Sequence, residues 1–125
     1  MIKNRILVVD DDIDTQNLVK TLLEIEGYEV QTADNGEDAL TTVATSPVDL
    51  IILDVRLPGI DGYEVCRRLK SQPDSQSIPI LMYSASFNHV ENKALESGAD
   101  DFIVKPFAID ALLSKVRKNL LKQKG

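Results

Sequence analysis

Two stretches of this chain, Ile6-Leu7-Val8-Val9 and Leu50-Ile51-Ile52-Leu53, are unbroken apolar runs of strand length, rich in β-branched residues. A strand with one wet face alternates apolar and polar side chains. An unbroken run is what a strand needs when helices cover both of its faces, the situation of parallel sheets. These two runs therefore constrain the fold more than any other feature.

The remaining pattern agrees with them. From Ile13 to Glu26, Leu18, Leu22 and Ile25 recur at helical spacing, and Gly27 supplies a stop. Tyr28–Ala33 alternates as a half-covered strand. Asn35, with Asp38 three residues on, offers an N-cap to a helix carrying Ala39, Leu40 and Val43. A helix over Gly62–Leu69 follows the second apolar run, and the polar stretch Ser71–Ser77 with Pro73 reads as a loop. Ile80–Tyr83 is a fourth strand, Val90–Ser97 a short helix ended by Gly98, and Phe102–Val104 a fifth strand. Ile109, Leu112, Leu113, Val116 and Leu120 then mark one face of a long last helix. Five strands alternating with five helices predict a doubly wound α/β domain, a parallel sheet with helices on both faces.

A length of 125 residues suits one domain, here residues 1–125. The single cysteine, Cys66, allows no intramolecular disulfide and points to a reducing compartment. No apolar run approaches the roughly 18–20 residues of a membrane span, and Met-Ile-Lys-Asn-Arg leading into three aspartates is not a signal peptide. The expected location is the cytoplasm. Fourteen basic against twenty acidic side chains leave a net charge of −6, which works against binding a nucleic-acid backbone. Nucleic acid is not expected as a direct ligand.

In doubly wound sheets, ligands bind outside the carboxyl ends of the strands, where the winding reverses. Those ends here carry Asp10-Asp11-Asp12, Asp54, Ser84-Ala85-Ser86 and Lys105-Pro106, whereas Asp34-Asn35-Gly36 ends the second strand away from the crevice. Carboxylates gathered at one strand end repel unless a cation sits among them. A hard divalent ion such as Mg²⁺, which takes one or two protein carboxylates and completes its shell with water or phosphate oxygens, meets that need. Asp12 is read as the cap of the next helix. Asp54 projects into the same crevice, Lys105 brings a compact positive charge suited to a carboxylate or phosphoryl oxygen, and Ser84 brings a hydroxyl.

Asp10-Asp11 after Ile6–Val9, Asp54-Val55-Arg56-Leu57-Pro58-Gly59-Ile60-Asp61-Gly62, Ser84-Ala85 and Lys105-Pro106-Phe107 together resemble the receiver domains of two-component response regulators. The resemblance runs from Ile6 into the last helix. It implies a flavodoxin-like (βα)5 fold with strand order 2-1-3-4-5. It also implies roles: Asp54 as phosphoacceptor from a phosphohistidine on a sensor kinase or a phosphotransfer protein, and Asp10, Asp11, Asp54 and the backbone carbonyl of Arg56 around Mg²⁺. Lys105 and Ser84 would contact the phosphoryl oxygens, and Phe102 would be the aromatic residue that swings inward on activation. Such a domain is a signalling switch rather than an enzyme with turnover. The surface around the fourth helix, fifth strand and fifth helix would meet a downstream protein.

Some residues depart from that pattern or lie outside it. Against the family pattern, Phe102 lacks the hydroxyl of a tyrosine and Leu57 replaces a common methionine, and the resemblance implies that Arg56 and Ser86 occupy positions where family members tune phosphoaspartate lifetime. A phosphatase of the haloacid-dehalogenase type also uses an aspartate and Mg²⁺ on an α/β sheet. It needs a second carboxylate two residues after the nucleophile, where this chain has Arg56. A flavin or nucleotide module would need a phosphate cradle in the first turn, which here holds three carboxylates. His89 is not assigned a donor role and Cys66 is assigned to packing. Lys115, Arg117, Lys118, Lys122 and Lys124 complement the dipole of the last helix.

Overall fold

Burial on both faces decides the sheet. In β1 (Arg5–Val9) and β3 (Leu50–Asp54), every residue from Ile6 to Val9 and from Leu50 to Leu53 is at most 1% exposed. The computed structural model describes residues 3–84 and 90–124. The remaining elements are α1 (Ile13–Ile25), β2 (Glu29–Ala33), α2 (Gly36–Thr45), α3 (Gly62–Lys70), β4 (Ile80–Ser84), α4 (Val90–Ser97), β5 (Asp101–Val104) and α5 (Ile109–Lys124). The sheet is parallel throughout, in the order β2-β1-β3-β4-β5, as the resemblance implies.

Alternate residues of each strand feed opposite layers. Leu7, Val9, Ile51, Leu53, Ile80 and Met82 pack with Ala39, Val65, Cys66, Leu69 and Ala94 from α2, α3 and α4. Ile6, Val8, Leu50, Ile52, Leu81 and Tyr83 pack with Val19 and Leu23 of α1 and Leu112, Val116 and Leu120 of α5. Each such side chain removed from water contributes about 1.5–3 kcal/mol before conformational entropy is subtracted.

Local signals start and stop the helices. Asp12 accepts from the Thr15 backbone N–H, Asn35 from that of Asp38 (2.8 Å) and Asp61 from that of Glu64 (2.9 Å). A cap of this kind stabilises a helix by about 1 kcal/mol. Gly27 leaves α1 at φ 97°, a left-handed conformation that favours glycine.

The stripe that marks α1 in the sequence is not the one that packs. Leu18 and Ile25, which share the spacing of Leu22, point to solvent at 55% and 74% exposure, and the buried line of α1 is Gln16, Val19 and Leu23. Hydrophobic spacing finds a stripe; the choice between two neighbouring stripes falls to what the sheet places opposite. On α5, Leu112, Val116 and Leu120 are buried as expected, while Ile109 is half exposed. Lys115 Nζ and Asn119 Nδ2 each reach the Asp101 carboxylate at 3.0 Å and dock α5 on the edge strand.

Candidate functional site

β1 pairs with β2 on one side and β3 on the other, so the chain winds away in opposite directions and leaves a crevice at their carboxyl ends. Val9 and Leu53 are register partners, which puts Asp10 and Asp54 level with each other one residue further on. One carboxylate oxygen from each of Asp10, Asp11 and Asp54 lies within 4.8 Å of the other two. Asp10 is fully buried and Asp54 nearly so, while Asp11 faces solvent.

Asp10 is held from several sides. Its Oδ1 accepts from the Asp12 backbone N–H at 2.9 Å, and its Oδ2 accepts from the Tyr83 hydroxyl and lies 3.4 Å from Lys105 Nζ. Asp54 Oδ1 accepts from the Arg56 N–H at 3.2 Å, and Oδ2 lies 3.4 Å from the same ammonium. Lys105 therefore bridges the two buried carboxylates. Its ammonium also sits 4.2 Å from the centroid of the Tyr83 ring.

Electrostatics follow from this crowding. Burial raises the Asp54 carboxyl to about 6; the charge of Asp10 adds to the rise, and Lys105 and the Arg56 N–H oppose it. Burial and the bond to Asp10 push the Tyr83 phenol well above its ordinary value. Three carboxylates facing one ammonium leave an excess of negative charge among hard oxygen donors. That donor set fits Mg²⁺ at Asp10, Asp11 and Asp54.

Ser84 closes β4, buried, and its carbonyl accepts from the Lys105 N–H at 2.8 Å. Phe102, paired with Met82 across β4 and β5, is half-buried against the α3–α4 layer with Lys115 Nζ 5.7 Å from its ring centroid. Arg56 is exposed in the loop after β3. Cys66 is buried, and burial raises its thiol. Ala85, Ser86 and His89 lie outside the described residues, as do the side chains of Lys122 and Lys124.

Three contributors escaped the sequence reading. Tyr83 looked like one more core residue of β4, although an aromatic with a polar tip just before Ser84 is a signal. Gln16 is buried, and its amide donates to the carbonyls of Asp10 (3.0 Å) and Ala33 (3.3 Å) and to Asp34 Oδ1 (2.9 Å). It ties the ends of β1 and β2 together, and nothing along its own helix signals it. Gly62 lies against the Asp54 carbonyl, and a glycine opening a helix directly after its cap was the visible sign.

A parallel sheet in this order with a lysine between two strand-terminal aspartates defines a class of signalling domain. The chain belongs to the response regulator receiver domain family, whose model it matches over residues 6–117. It is 43% identical over 114 residues to the response regulator MprA of Mycolicibacterium vanbaalenii, covering 90% of this chain and 48% of that one. This chain thus spans about half the length of the curated relatives it matches. A CheY-like response regulator receiver domain protein from Methanospirillum hungatei superposes with a TM-score of 0.90 at 30% identity, over 98% of each chain. The response regulator TrrA of Thermotoga maritima, solved in complex with Mg²⁺ and BeF, gives a TM-score of 0.85 at 38% identity, covering 93% of this chain and 98% of that one.

Proposed function

We propose that this chain is a phosphorylation-dependent switch in which Asp54 accepts a phosphoryl group from a phosphohistidine protein. A sensor histidine kinase or a histidine phosphotransfer protein presents the donor. An Asp54 carboxylate oxygen attacks phosphorus in line, the P–N bond breaks as the O–P bond forms, and the departing imidazole takes up a proton. Asp10, Asp11, Asp54 and the Arg56 carbonyl would hold Mg²⁺, which when bound neutralises charge on the equatorial oxygens. Lys105 supplies the protein's own part of that neutralisation, and the Ser84 hydroxyl bonds a phosphoryl oxygen.

The observation that carries this reading is the Lys105 ammonium 3.4 Å from both Asp10 and Asp54, beside three convergent carboxylate oxygens. The added group brings about −1.5 to −2 charge. Lys105 and Ser84 move toward it, and Phe102 turns inward, reshaping the α4–β5–α5 face for a downstream protein. Typical couplings of about 1–3 kcal/mol fall short of the roughly 5.5 kcal/mol that a complete conversion takes, so the response is a shift of populations. The domain acts only on its own phosphoryl group, in the cytoplasm, without direct nucleic-acid contact; among the described residues no helix is long and apolar enough to cross a membrane.

Beryllofluoride with Mg²⁺ tests the assignment. The wild-type chain should bind the mimic and Asp54→Asn should not. Equal binding by both would remove Asp54 as the acceptor.

A further inference from the structure

Tyr83 stands where β4 meets the acidic crevice, in register with Asp54. It is fully buried, and the three residues before it in the strand, Ile80, Leu81 and Met82, are apolar core. A buried phenol needs a hydrogen-bond partner. Here the partner is the Asp10 carboxylate. Resting on the function proposed above, we infer that Tyr83 is a positioning residue of the phosphoacceptor site: its hydroxyl orients Asp10 for the divalent cation, and its ring face carries the Lys105 ammonium.

The two halves of this inference come from separate contacts. Asp10 has the Asp12 N–H on Oδ1 at 2.9 Å and the Tyr83 O–H on Oδ2. Donors on both oxygens stop the carboxylate from turning about its Cβ–Cγ bond, with one of its oxygens within 4.8 Å of oxygens of Asp11 and Asp54. Outer partners that orient a metal-binding carboxylate are usually worth 10–100-fold in metal affinity. Lys105 is held differently. Its long flexible stem would let the ammonium wander, but the Tyr83 ring centroid lies 4.2 Å away, inside the range for attraction between a cation and an aromatic face. Phe107 backs that ring at 6.1 Å between centroids. If Tyr83 were only core filling, phenylalanine would serve equally well in every assay.

Calorimetric titration with Mg²⁺ alone, on the whole chain, separates these possibilities. Tyr83→Phe keeps the ring and should weaken Mg²⁺ binding about tenfold relative to wild type. Upfield ring-current shifts on the Lys105 ε-methylene protons should persist in Tyr83→Phe and vanish in Tyr83→Leu. Tyr83→Phe binding Mg²⁺ as tightly as wild type, or more tightly, overturns the role of the hydroxyl. Ring-current shifts that are missing in wild type or survive in Tyr83→Leu overturn the role of the ring. Should Tyr83→Leu fail to fold, the wild-type shift and the phenylalanine variant still decide. A wild type that binds no Mg²⁺ defeats the reading of the acidic site itself, a result distinct from equal binding by the two chains.

Discussion

The first residue of α3, Gly62, packs directly on the backbone of Asp54: a Cβ there would lie 2.2 Å from the Asp54 carbonyl oxygen and 2.9 Å from the Cα of Val55. The Gly62 N–H donates to the Val55 carbonyl at 2.9 Å. The loop from Val55 to Asp61 is thereby closed onto the strand end that presents the carboxylate, and the close approach leaves room only for hydrogen.

Gly62→Ala should therefore strain the site as well as the fold. The clash is with main chain, which cannot swing aside as the tip of a side chain can. We expect a loss of about 3 kcal/mol in urea unfolding together with weakened beryllofluoride binding. Unchanged stability would mean that the helix start relaxes freely away from Asp54.

The raised Asp54 carboxyl predicts how stability depends on pH. Its folded value of about 6 exceeds the ordinary 3.8, so the folded protein keeps a proton that the unfolded chain has released. The stabilisation from this group is complete below the unfolded value and disappears as pH rises through about 6. Asp54→Asn abolishes that decline, giving a variant more stable than wild type above about pH 6. Urea midpoints of both proteins across this window check the sign.

Lys105→Met removes the ammonium shared by Asp10 and Asp54 while keeping most of the side-chain volume. Two carboxylates then face each other without their cation, and Asp54 should hold its proton to still higher pH. A carbon-13 NMR titration of the aspartate carboxyls reads this directly. The same variant should lose beryllofluoride binding, since its methionine offers no charge to the phosphoryl oxygens. A carboxyl that titrates as in wild type would show that the bridge has little electrostatic effect.

Lys70 gives a contrast away from the site. Its ammonium donates to the Gln76 and Ile78 carbonyls at 3.2 and 2.8 Å and to Asp100 Oδ2 at 2.7 Å, pinning the loop after α3 to the start of β5. Lys70→Met should cost about 1–2 kcal/mol, chiefly through the Ile78 carbonyl left without its donor. Affinity for the phosphoryl mimic should stay at the wild-type level. A drop in that affinity would link this corner to the crevice.

Legibility differed between residues for physical reasons. Asp10, Asp54 and Lys105 could be read because each directly follows, or in the case of Asp54 ends, a strand whose apolar run is unmistakable, and parallel strands deliver their ends to one edge. Tyr83 could not, because an aromatic residue is equally at home in a core and its hydroxyl meets Asp10 only across the width of β3. Leu18 and Leu23 look alike as members of a helical pattern, yet one is exposed and the other buried. Gln16 carries no signal along its own helix, because the carbonyls of Asp10 and Ala33 that its amide meets belong to other segments.

Periodicity, caps and strand-terminal residue types are local properties, since they depend on the spacing of neighbours along one segment. They were enough to determine the alternation of strands and helices, the parallel sheet and the carboxylates and lysine at its ends. Which helix face turns inward, how near Lys105 comes to two aspartates, and that a tyrosine meets both Lys105 and Asp10 depend on distances between segments far apart in the chain. Those distances exist only after the strands have aligned, so folding alone decided them.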